Sequence, residues 1–255
     1  MMKRILFATD LDNTLLFSHR HRQPGDRCAE LWNGAEQGFF TPETVDLLPQ
    51  AARQVRLLPI TTRSIAQYQR IRWPAGALPR EALTANGAVL LRDGAIDRDW
   101  YDQSWELVRA HQGALRDLLE RISAREDVTS ARIVENMYVY AACADAAAAE
   151  RCAAAWAQDA PFQMEVSGRK VYWFPPGIDK GTALRRAAGR YRPERILCAG
   201  DSVIDVPMLR RADLAMIPDG TLLPALPAER TLVCQENVRF PDFVLRTVLA
   251  QAGPG

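Results

Sequence analysis

The 255-residue chain has no uninterrupted apolar run near the ~18 residues that a membrane-spanning helix needs. The start, Met1-Met2-Lys3-Arg4-Ile5-Leu6-Phe7-Ala8-Thr9-Asp10, has too short an apolar stretch for a signal peptide and ends it on an aspartate; it reads as a first buried strand. Five cysteines (Cys28, Cys143, Cys152, Cys198, Cys234) are scattered, odd in number and without Cys-x-x-Cys spacing. That pattern argues against a disulfide framework or a zinc site and predicts a reducing, cytoplasmic setting. Only three histidines occur, and none has the companions of a metal-ligand set. A net charge of +1 gives no excess of either sign, so neither nucleic acid nor a membrane surface is expected as a partner. Internal repeats and low-complexity tracts are absent too.

What remains is an ordinary soluble composition, 48% hydrophobic and 25% charged, long enough for one large core or a core with a smaller module. Short apolar runs at 5–9, 55–60, 195–199, 214–217 and 231–234 read as buried strands alternating with helices, the α/β pattern of a doubly wound parallel sheet. Thr41-Pro42-Glu43 is a helix start, with threonine as N-cap and proline in the first turn. Further helices are predicted over 64–72, 180–190, 206–211 and 242–252, and a strand with an Asn-Gly turn over 83–90. Residues 15–40 form a long polar segment without a clear period. Between 91 and 174 the character changes to one long amphipathic helix (104–122), a strand (131–142), an alanine-rich helix (144–158) and two short strands (162–166, 170–174). The division expected is a core of 1–90 with 175–255, interrupted by a smaller α+β domain over 91–174.

Four short segments carry groups suited to phosphoryl chemistry: Asp10-Leu11-Asp12-Asn13-Thr14, Thr61-Thr62-Arg63, Asp179-Lys180-Gly181 and Gly200-Asp201-Ser202-Val203-Ile204-Asp205. Three of them directly follow apolar runs, at the carboxyl ends of predicted strands, where open α/β sheets place ligands. A phosphate ester repels an anionic nucleophile, and a Mg²⁺ ion held by hard carboxylate oxygens lowers that repulsion. The plain alternatives are an Asp/Asn turn for Asp10 and Asp12, a helix N-cap for Thr61, and helix-capping acids for Asp201 and Asp205. Lys180 has a weak structural reason, because a lysine at a helix start opposes the helix dipole.

In this order the four segments resemble the motifs of the haloacid dehalogenase (HAD) superfamily of Mg²⁺-dependent phosphatases. The resemblance implies that Asp10 is a nucleophile forming an aspartyl-phosphate and Asp12 the general acid–base. Thr61 with nearby amides would bind the transferring phosphoryl group, and Lys180 would neutralise its charge. It further implies Mg²⁺ held by Asp10, Asp12, Asp201 and Asp205, with the main chain of Asp12 also facing the metal. Two departures stand out: Thr62 replaces the glycine of the common Thr-Gly-Arg form, and Ile204 precedes Asp205 where many relatives have asparagine.

The insert's position between the second and third motifs, with Leu83-Thr84-Ala85-Asn86-Gly87-Ala88 just before it, resembles the α+β cap of the Cof and sucrose-phosphatase branch. Such a cap closes over the core and selects the leaving group. Thr62, Arg63, Asn86, Gly87, Arg169 and Lys170 are the candidate substrate-binding residues, with Asn136, Tyr138 and Tyr172 as further cap candidates. His19-Arg20-His21-Arg22 is a dense basic cluster that reads either as a solvated loop or as a second anion contact. The expected function is a cytoplasmic phosphatase for a small phosphorylated metabolite such as a sugar phosphate. A phosphomannomutase-like phosphotransferase and a non-catalytic binding module are the alternatives, and monomer or homodimer is left open.

Overall fold

The computed structural model describes residues 4–156 and 161–253. At its centre is a five-stranded parallel sheet in the order Thr231–Val233, Leu214–Ile217, Arg195–Ala199, Ile5–Thr9, Arg56–Pro59. Ile5–Thr9 is flanked on both sides and covered on both faces, which is why it reads as an unbroken apolar run. Phe7 points into one core cluster with Leu48, Val244 and Val248 of the helices Pro42–Gln54 and Phe240–Ala252. Leu6 and Ala8 point the other way, to Ala183, Leu184 and Ala187 of the helix Lys180–Tyr191. Alternation along one strand thus sets two helical layers around the sheet. As expected, Thr41 caps its helix by accepting a hydrogen bond from Thr44 N.

Beside this core lies a four-stranded antiparallel sheet, ordered Gln163–Ser167, Lys170–Phe174, Tyr138–Cys143, Val128–Val134. Val139, Ala141, Val171 and Trp173 face the helices Gln112–Ser123 and Ala146–Ala154 and are buried with Leu115, Leu118, Ile122 and Cys152. The architecture is therefore a doubly wound α/β core carrying an α+β cap.

Several elements differ from the sequence expectation. The polar segment 15–40 is an antiparallel flap of Phe17–Ser18, Arg27–Trp32 and Ala35–Phe40, closed by an Asn33-Gly34 turn with φ of 49° and 79°. The strand expected over 131–142 is a hairpin, folded at Glu135 and Asn136 with φ of 49° and 65°. The segment 83–90 is also a hairpin, Glu81–Thr84 against Val89–Arg92, around the turn Ala85–Gly87. The single helix of 104–122 is two, Arg98–Val108 and Gln112–Ser123. The first of these packs on the core: Trp100 is buried among core residues, its Nε1 donates to Gly87 O (3.0 Å), and the Arg186 guanidinium covers its ring at 3.8 Å. By packing, the cap sheet and its helices begin near residue 112 rather than 91. The helix expected over 144–158 spans Ala146–Ala154, and residues 157–158 of that expectation lie outside the described residues.

Candidate active site

The parallel sheet brings the distant motifs together. Asp10 follows Thr9, and its N–H donates to Ala199 O (2.9 Å), extending the ladder by one residue. Asp201 follows the neighbouring strand through Gly200, and Thr61 follows the strand on the other side, tied to Leu83 O by its N–H at 2.9 Å. Three of the four segments therefore leave the same sheet edge side by side. Lys180 enters from the first turn of its helix, capped by Asp179, which accepts from Thr182 N at 2.8 Å. Gly181 lets that helix close in, since a Cβ there would stand 2.4 Å from Pro207 O.

The Lys180 ammonium is 2% exposed and donates to Asp10 Oδ1 and Asp205 Oδ1, each at 2.5 Å. Burial opposes its charge, but the two carboxylates outweigh burial and raise its pKa. The second oxygen of Asp205 accepts from Asp201 N, Ser202 N and Ser202 Oγ, all at 3.0 Å. Both of its oxygens are engaged, so Asp205 fastens Lys180 to the 200–202 turn. Gly200 makes room for it, because a Cβ there would lie 2.5 Å from the Asp205 Cβ.

Asp10 is buried, and desolvation pushes its pKa well above the usual carboxylate range, with Lys180 opposing the shift. Asp201 is pushed up to about 7 by burial and by the charge of Asp205. Among the described residues its carboxylate accepts only long hydrogen bonds, from Asn13 Nδ2 (3.3 Å) and Thr14 Oγ1 (3.4 Å). One carboxylate oxygen from each of Asp10, Asp201 and Asp205 lies within 4.8 Å of the others. Crowded anions with weak partners are the chemistry that a divalent cation relieves.

Asp12 has a different setting. Its carboxylate faces a cleft and accepts a two-pronged contact from Arg63, Nη2 to Oδ1 at 2.7 Å and Nε to Oδ2 at 3.0 Å. Burial would raise its pKa, but the Arg63 guanidinium brings it down to about 2. Arg63 also reaches Glu30 Oε2 (2.8 Å), whose other oxygen is held by Arg70 (2.8 Å). Thr61 is buried, with its hydroxyl accepting from Arg63 N at 3.2 Å. Thr62 is absent from the positive-φ residues, so no glycine is required there; its carbonyl accepts from the Tyr138 hydroxyl of the cap at 2.6 Å.

Other expected contacts fall elsewhere. Asn86 and Gly87 are buried behind Thr61, not in the cleft: Asn86 N donates to Thr61 O (2.8 Å), and Gly87 packs against Ala183. Arg169 lies exposed in the hairpin turn between two cap strands, outside the cleft wall, and Asn136 is likewise in a turn. Arg20, His21 and Arg22 border a separate depression with Val238 and Phe240, and Arg22 pairs with Glu36 at 2.8 Å. The cleft itself, about 710 Å³, lies between core, flap and cap, where Lys170, Tyr138 and Tyr172 face it as expected. The sequence reading missed Glu30, Trp32 and Gln37 of the flap, Arg70, and Arg132 and Tyr140 of the cap. The Asn33-Gly34 dipeptide was the one turn signal that pointed to the flap.

No protein-family model matches the chain, and no curated protein matches its sequence. Solved structures do. Sucrose-phosphatase from Synechocystis, solved with sucrose and phosphate, aligns over 99% of this chain and 98% of its own at 17% identity and a TM-score of 0.61. The fold is that of the HAD phosphatases. The C-terminal domain of trehalose-6-phosphate phosphatase from C. albicans aligns over 99% and 93% at 16% identity, TM-score 0.60. A haloacid dehalogenase-like hydrolase from B. subtilis aligns over 94% and 98% at 16% identity, TM-score 0.56.

Proposed function

We propose that the protein is a Mg²⁺-dependent phosphomonoester hydrolase for a small phosphorylated metabolite of sugar-phosphate size. The observation that carries this reading is the convergence of Asp10, Lys180, Asp201 and Asp205 at one sheet edge, with carboxylate oxygens within 4.8 Å. Asp10 and Asp201 are the side chains that would hold Mg²⁺; Asp205 has no free oxygen and acts by positioning. Bound there, the ion would screen the repulsion between nucleophile and phosphate and polarise the phosphoryl oxygens.

Asp10 Oδ1 accepts one hydrogen bond from Lys180 and keeps a second lone pair for the ion, which leaves Oδ2 to attack phosphorus. The phosphorus–oxygen bond to the leaving group breaks as that to Asp10 forms, and the leaving oxygen takes its proton from Asp12. Water, deprotonated by Asp12, then cleaves the aspartyl-phosphate. Asp12 cannot donate while Arg63 holds it ionised. An incoming phosphate dianion competes with Asp12 for the same guanidinium, so substrate binding is an exchange that frees Asp12 to take up from water the proton that it then passes to the leaving oxygen. The buried Thr61 anchors Arg63 on the far side of that exchange.

A panel of phosphorylated metabolites with Mg²⁺, scored for inorganic phosphate and for isomerised ester, tests the reading. Phosphate release is expected, and Asp10→Asn should abolish it while the circular dichroism spectrum stays unchanged. Undiminished turnover by Asp10→Asn, or an isomerised ester as the product, would overturn it.

A further inference from the structure

The cap sheet turns two unlike faces to its surroundings. One buries Val139, Ala141, Val171 and Trp173 against helices. The other, offset by one residue along each strand, carries Tyr138 and Tyr140, Lys170 and Tyr172, and Arg132. Cross-strand register aligns Arg132 with Tyr140 and Tyr140 with Tyr172, and Lys170 lies two residues from Tyr172 on the same face. This second face is a wall of the cleft beside Asp12 and Arg63.

The cleft wall holds four cations, Arg63, Arg70, Arg132 and Lys170, and two carboxylates, Asp12 and Glu30. Arg63 and Arg70 are matched to Asp12 and Glu30. Arg132 and Lys170 form no ion pair among the described residues. Arg132 lies over the Tyr140 ring at 4.5 Å and makes one long bond, to Gln67 Oε1 at 3.5 Å. Glu165, across from Tyr172, is bonded by Gln163 (2.8 Å) and does not pair with Lys170. Two positive charges therefore face the cleft beside the Tyr140–Tyr172 pair without a carboxylate in contact, Lys170 sensing Asp12 only at a distance.

Guanidinium and ammonium groups only donate hydrogen bonds. A neutral polyol can accept from such donors through its hydroxyl oxygens but supplies no charge. A carboxylate or phosphate only accepts, and it also supplies the missing charge. We infer that the cleft selects phosphate esters whose leaving group carries a second anionic group, a carboxylate or a further phosphate, bound by Lys170 and Arg132. The inference rests on the phosphatase reading for which end of the substrate reacts, but the recognition itself is separable from turnover.

The test is calorimetric binding, with Ca²⁺ in place of Mg²⁺ to suppress turnover, of 3-phosphoglycerate, fructose 1,6-bisphosphate and glycerol 1-phosphate. The first two differ in which second anion they offer, and the third has none. One acid-bearing ester should bind at least about tenfold more tightly than glycerol 1-phosphate, the scale of one charge-assisted hydrogen bond. Lys170→Gln and Arg132→Gln should each shrink that ratio severalfold, and Lys170→Arg should keep it. Equal affinities for all three, no binding of any, or a ratio unchanged in both glutamine variants would overturn the inference. A preference in binding without phosphate release under Mg²⁺ would sink the phosphatase reading and leave this one standing; release without preference would do the reverse.

Discussion

Lys180→Met offers the sharpest probe of the buried charge cluster. The substitution keeps the aliphatic stem and removes an ammonium that touches Asp10 and Asp205 at 2.5 Å, in surroundings where Asp205 is fully buried. Removing one partner of a buried pair costs about 3–5 kcal/mol, because the remaining charge loses its compensation. For a chain of this length that corresponds to a fall in melting temperature of roughly 6–20 °C. The pH dependence identifies the cause. Asp10 already titrates well above its ordinary value, and loss of Lys180 removes the charge that opposes this rise. Between the unfolded and folded pKa values the native state binds more protons than the unfolded chain, so stability falls as pH rises. The gap between variant and wild type should be small near pH 4 and widen toward pH 8 in thermal melts recorded with EDTA. A variant as stable as wild type at pH 8, or a gap that does not change with pH, would refute the electrostatic argument; the second result would assign the loss to the fit of the methionine terminus in place of the ammonium.

Gly87→Ala places a Cβ 2.2 Å from that of Ala183, at a φ of +90°, and should cost about 2–5 kcal/mol in denaturant unfolding. Gly94→Ala, with φ of +83° and nothing within 4 Å of the new atom, should lose only the conformational share; equal losses would show that the contact with the Lys180 helix is unimportant. Asp201→Asn removes a carboxylate held near pKa 7, whose cost to the folded state grows as pH rises from about 4 through 7. It should therefore raise the melting temperature at pH 8 in EDTA yet increase the Mg²⁺ concentration needed for half-maximal phosphate release. A variant less stable in EDTA with unaltered Mg²⁺ demand would remove Asp201 from the proposed ion site.

The core was legible because its central parallel strands are covered on both faces and lead directly into the motif residues. Ile5–Thr9 and Arg195–Ala199 have no polar alternation to confuse them, and Asp10 and Asp201 sit at the first positions where the apolar run stops. What escaped the sequence reading were antiparallel pairs whose folding point is a residue in the left-handed region. Glu135-Asn136 turns the chain at positive φ with no glycine or proline, so that hairpin reads as one strand, while at Ala85-Asn86-Gly87 the turn was read but its two arms were not separated as paired strands. At Asn33-Gly34 the turn signal was present, but charges at Arg27, Glu30 and Glu36 broke the apolar alternation around it. One of those charges, Glu30, is buried because it lies between Arg63 and Arg70.

That last arrangement explains why the flap and cap side of the cleft is harder to read than the buried charge cluster. Asp10, Lys180 and Asp205 form a closed set in which each group's position follows from its motif. Arg63, in contrast, bridges a motif residue, Asp12, and a flap residue with no motif of its own, Glu30. A pairing between a motif and an unmarked strand leaves no spacing in the sequence, since it depends on how the flap folds back over the sheet edge. The same holds for Arg132 and Lys170, which become neighbours on one face only when two hairpins set the register of three cap strands. Chemistry fixed by the parallel sheet is thus written in local motifs. The residues proposed to choose the leaving group are brought together by cross-strand register, and only the folded chain discloses them.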